Sequence, residues 1–467
     1  MNSSVIKPYV FREYDVRGVI GSDLTDQFAY ILGASYANLM RDLGVKKEAK
    51  FVVGYDCRPT SKSYSEYLVR GINAQGFNVV SIGMVPTSAV YWSIQHVGAD
   101  GGIQITGSHN PADNNGFKIC VGNDPMPAAL IQKLKDYCEK FEKEGSISKN
   151  ELGITENFDA LPYYIDEIVE QIKPNIGSKR CRVVVDAGNG VAGLLGVPVL
   201  KKIGVDVIEL FCEPDGTFPN HHPDPTLPEN IEILSAEISK NKADCGIGWD
   251  GDGDRIVVLD ETGAPFAGDH LLLVLGRALL EKSPGATIIG DVKCSQVFFD
   301  DLRARGANVV MSKSGHSSIK ARLKELKADL SGELSGHICY GDRFYGFDCA
   351  VYDTARFIEI LSNLNDVCST LRVNIPVMYS TKEERFDSTD SLKFKVVDKV
   401  REHFSSYNCN LLDGVRVSLP NGWILLRASN TQPVLVSRVE ADSKERLAEY
   451  SEMLSKALLN VHKELDL

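Results

Sequence analysis

The stretch DGDGDR places Asp250, Asp252 and Asp254 at alternate positions, separated by glycines. On an extended strand the three share one face, but the outer two stand about 13 Å apart at about 3.3 Å per residue. A hard divalent cation such as Mg²⁺ takes oxygen ligands at about 2.1 Å, so a straight strand cannot bring all three to one ion. Gly251 and Gly253 allow the loop to curl until the carboxylates converge. Packed like charges repel unless a cation neutralises them, so the stretch reads as a compact oxygen-only cation site rather than a solvated acidic turn. A calcium EF-hand loop is the rival, because Glu261 falls at its twelfth position. Arg255 stands at the sixth, where that loop needs glycine, and RIVVLD after it reads as strand rather than helix.

A second chemical feature is Ser108 in GGIQITGSHNP, residues 101–111. Pro111 disfavours a helical conformation at Asn110 and cannot donate to a strand ladder. The strand is therefore predicted to end near Thr106, leaving an exposed Ser108 on a turn at its C-terminal end. Open α/β sheets bind ligands at such ends. Read alone, the serine is better explained by an ordinary Gly-Ser-Asn-Pro turn.

Both features recur within a larger pattern. Three segments open with an apolar run ending in Asp: FVVGYD to Asp56, RVVVDAGNG through Asp186, and TIIGDV through Asp291. Each continues through a helical stretch to a second run (GFNVVSIG, GVDVIEL, GANVVMS). Each then reaches Ala-Asp and a third run, beginning at Ala99, Ala243 and Ala328. Short apolar strands alternating with helical stretches predict parallel βαβ units, and three copies predict three similar α/β domains; the fold class expected is three similar mixed-sheet α/β domains. The third runs end in TGSHNP, DGDGDR and GELSGH, so each domain presents one special loop at the same sheet edge. DAGNG, residues 186–190, lacks the full glycine fingerprint of a nucleotide loop and reads as a tight strand-to-helix turn. From about Val373 the pattern changes to strand, turn, strand and a long helix, which predicts a smaller α+β domain. The expected domains are 1–153, 154–261, 262–372 and 373–467.

At roughly 100–200 residues per domain, 467 residues accommodate two to four domains. The chain is 43% hydrophobic and 24% charged, as soluble globular proteins are. A net charge of -12 argues against nucleic-acid or anionic-membrane partners, whose binders are basic, but leaves room for a small anionic substrate. There is no 18-residue apolar run and no signal-peptide core at the N-terminus. The 11 scattered cysteines include no Cys-x-x-Cys pair and read as reduced thiols, consistent with a cytoplasmic protein.

With TGSHNP, DGDGDR, GELSGH and RASNTQP in that order, the sequence resembles the α-D-phosphohexomutase superfamily, and most of all its bacterial phosphomannomutase/phosphoglucomutase group. The resemblance runs from YDVRG at Tyr14 to RASNTQP at Arg427. It implies four domains around a central cleft, the first three being similar α/β units. It implies that Ser108 is carried as phosphoserine, with its phosphate joining Asp250, Asp252 and Asp254 as a Mg²⁺ ligand. The activity implied is reversible transfer between the 1- and 6-positions of mannose and glucose phosphates. A hexose 1,6-bisphosphate would serve as intermediate and activator. Lys118 and His337 match positions near the reacting group, Arg17 and His109 are close candidates beside them, and their acid and base roles stay open.

The resemblance further assigns Tyr14, Arg255, Lys293 and His316 to the substrate site, and sets Glu333 and Ser335 against the sugar hydroxyls. Arg427, Ser429, Asn430 and Thr431 read by themselves as a polar loop with one surface arginine. The resemblance makes them a seat for the distal phosphate, which suits a fork-shaped cation. GELSGH differs from the GEQSGH associated with phosphoglucosamine mutases, which makes an amino sugar the weaker alternative. A metal-dependent serine phosphatase is a further rival, but it has no need of the RASNTQP domain. The expected assembly is a monomer or weak homodimer.

Overall fold

A computed structural model of the chain describes residues 4–145, 152–429 and 433–465. Contacts divide the chain into two compact units. One takes Met1–Phe266 with Ser335–Thr370, and the other Ala267–Leu334 with Leu371–Leu467.

The threefold repeat is realised as three sheets of equivalent strand order. Lys50–Tyr55 lies between and parallel to Asn78–Met84 and Gly101–Ile105. Arg182–Asp186 has the same relation to Asp206–Leu210 and Cys245–Trp249. Thr287–Asp291 has it to Asn308–Ser312 and Leu330–Gly332. In the first two sheets an antiparallel strand follows the third run, Asn114–Val121 and Ile256–Asp260, which makes them mixed. The third runs are buried along their whole length. Strands covered on both faces can be apolar throughout, as GGIQI and CGIGW nearly are. In the first sheet Val16–Val19 adds a further antiparallel edge, with Arg17 opposite Gly116. Phe117 anchors that core between Phe28 and Tyr64, at ring separations of 6.0 and 6.2 Å.

The C-terminal α+β domain forms as expected. Val415–Leu419, Gly422–Ala428 and Val434–Ala441 make an antiparallel meander. Helices Lys393–His403 and Lys444–Glu464 cover it through Val400, Ala457 and Val461. A buried carboxylate ties it to the rest of its unit. Glu440 Oε1 accepts from Trp423 Nε1 at 2.8 Å and from Ser295 Oγ at 3.0 Å. Among the described residues no helix is long and apolar enough to cross a membrane.

All 11 cysteines are free, eight of them buried and Cys57, Cys212 and Cys409 half-buried. Burial raises all three half-buried thiols, Cys212 to about 12, so thiolate is scarce at neutral pH. In a thiol titration with an aromatic disulfide at pH 8, no more than these three should react slowly in the native protein, and all 11 after denaturation. Prompt reaction of more than three would contradict this packing.

Candidate active site

The third run of the first sheet ends at Ile105, and the chain turns at Ser108 with φ 49°. A left-handed conformation costs a non-glycine residue on the order of 1–2 kcal/mol, so surrounding contacts must hold it. The Ser108 N–H donates to Thr106 Oγ1 at 2.8 Å, and its hydroxyl donates to Asp250 Oδ2 at 3.1 Å. His109 Nδ1 lies 3.0 Å from the same Oγ. Sequence reading makes Ser108 exposed, whereas it is only 2% exposed. The cause is the acidic loop folding over it. A Cβ on Gly251 would stand 2.6 Å from the Ser108 carbonyl oxygen, so only glycine admits that approach.

The acidic loop follows Cys245–Trp249, and Gly253 curls it at φ 74°. One oxygen from each of Asp250, Asp252 and Asp254 lies within 4.8 Å of the others, and all three residues are buried. Asp250 Oδ1 accepts from the backbone N–H groups of Asp254 at 3.0 Å and Arg255 at 3.1 Å. The loop's successive carbonyls are also held. Gly251 O accepts from Val191 N, Asp252 O from Thr87 N and Gly253 O from Ala350 N, at 3.1, 3.0 and 3.1 Å. Val191 caps one helix, and Thr87 and Ala350 begin two others. Three positive helix ends therefore converge on the loop.

Charge here is strongly coupled. Lys118, opposite Gln104 on the neighbouring strand, donates from Nζ to Asp252 Oδ2 at 2.6 Å and to Asp254 Oδ2. Burial works against the ammonium, but Asp252 and Asp254 outweigh it and keep Lys118 protonated. Burial also works against charge on Asp254, yet Lys118 and then His337 hold that carboxyl well below the usual range. Asp250 goes the other way, pushed well above it by burial and then by the charges of Asp254 and Asp252. Asp252 Oδ1 and Asp254 Oδ1 are buried without a hydrogen-bond donor. Three converging carboxylates, two of them with undonated oxygens, against one ammonium fit an oxygen-ligated divalent cation. The strand Ile256–Asp260 follows directly, as expected for a site that is not an EF-hand.

Arg255 Nε donates to His337 Nε2 at 3.0 Å, which leaves the ring proton on Nδ1. That nitrogen stands 3.1 Å from Asp348 Oδ2 and 3.7 Å from Asp254 Oδ1. Arg17 donates from Nε to Asp15 at 2.6 Å and from Nη1 to Asn110 at 3.3 Å. Burial, then Arg255 and Arg17, lower the His109 imidazole well below its ordinary value, so it is neutral. Tyr14 is half-buried on the bend before Val16–Val19, and Ser335 is half-buried. The first unit thus brings together Ser108, His109, Lys118, Arg17, the three aspartates, Arg255 and His337. DAGNG is the tight turn expected, with Asn189 at φ 59°.

Within the second unit, Glu333 Oε1 accepts from the Gly315 N–H at 2.7 Å, just before the helix that begins at His316. Lys293 Nζ lies 3.4 Å from Glu383 and 3.8 Å from Asp291. Burial opposes its charge, but Asp291, Glu383 and Glu333 raise it. Arg427 is not a surface residue. It is 7% exposed, and Nε donates to Asp413 Oδ2 at 2.9 Å. The same oxygen accepts from Ser314 N at 3.0 Å. Ser429 is buried, and its carbonyl accepts from Lys393 Nζ at 2.8 Å. Asn430 and Thr431 lie outside the described residues. Thr87, Asp348 and Asp413 were not legible as site residues, because each stands in sequence without a motif of its own.

Three repeated α/β domains and a C-terminal domain, with a buried hydroxyl set against a buried acidic cluster, define a multidomain α/β enzyme. The chain belongs to the phosphoglucomutase/phosphomannomutase family, a family of isomerases. Its α/β/α domains I, II and III match residues 8–144, 162–263 and 267–378, and its C-terminal domain matches 384–457. A phosphomannomutase/phosphoglucomutase of Pseudomonas putida is 40% identical over 98% of this chain and 97% of its own. A phosphoglucomutase of Neisseria gonorrhoeae is 36% identical over 93% of each chain. The crystal structure of a family protein from Burkholderia thailandensis superposes with a TM-score of 0.89, at 36% identity and 98% coverage of both chains.

The charge balance yields a counter-intuitive expectation. Asp250→Asn keeps an acceptor for the two backbone N–H groups and removes a carboxylate whose charge burial disfavours. The cation-free variant should melt no lower than the parent, within about 2 °C. Added divalent cation should raise the parent's Tm by mass action and the variant's far less. Equal cation-induced shifts in both proteins would show that the acidic loop does not bind the ion.

Proposed function

We propose that the protein interconverts the 1- and 6-phosphates of mannose and glucose through a phosphoserine at Ser108 and a hexose 1,6-bisphosphate. The observation that carries this reading is the Ser108 hydroxyl donating to Asp250 beside Lys118 and the two other aspartates. In the forward half-reaction a sugar hydroxyl attacks phosphorus, the bond to Ser108 Oγ breaks, and the sugar proton passes to a base. The bisphosphate then returns its other phosphoryl group to Oγ. Mg²⁺ held by Asp250, Asp252, Asp254 and the serine phosphate would neutralise charge on the phosphoryl group in transfer.

The chain's own groups divide the remaining tasks. Lys118, kept protonated, suits stabilisation of the transferring group by its charge. Neutral His109 suits proton acceptance, and His337 is the second candidate for proton transfer, with Arg17 beside them. Tyr14, Arg255, Lys293, His316 and Ser335 are proposed substrate contacts. Arg427 and Ser429, with Asn430 and Thr431, are the proposed seat of the distal phosphate, and Asp413 orients the arginine. Relatives named for both mannose and glucose activity support dual specificity. Within this reading the protein works in the cytoplasm, as a monomer or weak homodimer.

Intact mass should show phosphate on Ser108. Ser108→Ala should stay folded and lose mutase activity by roughly 10³-fold or more, since the group in transit has no acceptor. Near-parental activity in this variant would remove the phosphoserine route.

Sugar preference follows from geometry. The bisphosphate must bind in two orientations that exchange its phosphate ends, and only the hydroxyls on carbons 3 and 4 keep the same partners in both. Glucose and mannose differ at carbon 2, so discrimination between them should be modest. Glu333→Ala should lower kcat/KM for both sugars alike, and glucosamine phosphate should be a poor substrate. An absolute preference for one epimer, or glucosamine phosphate turned over as well as glucose phosphate, would overturn this assignment.

A further inference from the structure

Arg58, in YDCRPT, belongs to none of the groups described above. Its side chain is wholly buried. A guanidinium carries five N–H donors and stays charged, so burying it demands a full set of acceptors. Arg58 has them. Nε donates to Asp56 Oδ2 at 3.2 Å. Nη1 donates to the carbonyls of Pro111 and Asn114, at 2.6 and 2.8 Å. Nη2 donates to those of Ser108 and Asn110, at 2.8 and 2.6 Å. Four of the five acceptors are thus backbone oxygens of one short segment, the loop that carries the serine.

The surroundings are built around this cation. Asp56 is held by the Ser61 hydroxyl at 2.5 Å and the Arg58 N–H at 2.9 Å, and accepts from Gly107 N at 3.3 Å. The Phe218 ring centroid lies 5.0 Å from the guanidinium carbon. A Cβ on Gly107 would stand 2.6 Å from that carbon, so the loop passes directly over the guanidinium plane. Four carbonyl dipoles converging on one point repel one another unless a cation sits among them. Ser108 is left-handed at φ 49°, a conformation that neighbouring contacts must enforce.

We propose that Arg58 is a positioning residue. It pins the loop from Ser108 to Asn114 in the conformation that aims the Ser108 oxygen at Asp250, and so sets the rate of phosphoryl transfer without touching substrate. The catalytic half of this inference rests on Ser108 being the phosphate carrier. The loop-holding half rests on the hydrogen bonds alone.

The test is Arg58→Lys in the full chain. Lysine keeps the charge but offers three donors from one point, so at least two of the five acceptors lose theirs. Thermal unfolding establishes that the variant is folded. Amide hydrogen exchange over residues 106–116 should then be at least about tenfold faster than in the parent, with the other strands of the first sheet unchanged. With glucose 1-phosphate, kcat should fall about 100-fold while KM stays within about twofold. Parental exchange in that loop, kcat within about threefold of the parent, or KM rising in step with any loss of kcat would each overturn the proposal. If Arg58→Lys does not fold, Phe218→Leu removes the aromatic cover and keeps every donor. It should speed exchange in the same loop and lower kcat at constant KM, and no change in either overturns the proposal. A parent that lacks both serine phosphate and mutase activity would refute the functional reading instead, and hydrogen exchange would still decide the role of Arg58.

Discussion

Burying three carboxylates at one point is the constraint around which the first unit is arranged. Two unit charges about 4 Å apart interact by about 4 kcal/mol at an effective dielectric of 20, against a total stability of about 5–15 kcal/mol for an ordinary domain. A loop alone cannot sustain that repulsion. Lys118 is therefore carried in from the strand Asn114–Val121 of the first sheet, and three helices present their N-termini to consecutive carbonyls of the loop. Each helix end contributes about 0.3–1 kcal/mol of favourable potential, and more when partly buried. The positions of Thr87, Val191 and Ala350 make sense only together, as the rigid frame of one acidic turn.

Much of this was legible in the sequence because it rests on local rules. The spacing of Asp250, Asp252 and Asp254 with intervening glycines required a curled loop. The Gly-Ser-His-Asn-Pro run required a strand end. The apolar runs ending in Asp foretold the repeated sheets. What escaped is long-range. Asp348 meets His337 only because Cys339 and Asp348 bridge across a turn, and Asp413 meets Arg427 only through the antiparallel meander. Burial was misjudged for the same reason. Ser108 and Arg427 look exposed by residue type, and they are covered by segments distant in sequence.

The second unit obeys a different logic. Its charged groups are chained together rather than gathered. Arg427 bonds to Asp413, Asp413 to Ser314, Ser314 to Asp291, and Lys293 lies between Asp291 and Glu383. Such a relay fixes the direction of each long side chain and leaves it little rotamer freedom. Glu440, shared by Trp423 and Ser295, gives the sheet carrying Arg427 and the sheet carrying Glu333 a common buried anchor.

The equivalent strand order of the three α/β sheets has a consequence for how such a protein can change over generations. Each special loop hangs from the same place on its own scaffold, after the third run and outside the packed strands. One loop carries the serine, another the acidic cluster, and the third Glu333. Copies of a single ancestral unit could therefore diverge in one loop without disturbing the core that supports it. Divergence in the Glu333 loop would leave the strands beneath the serine and the aspartates intact. Under the proposed assignment of Glu333 to the sugar, novelty in ligand choice is then open to a handful of substitutions, while the serine and acidic loops are shielded from them.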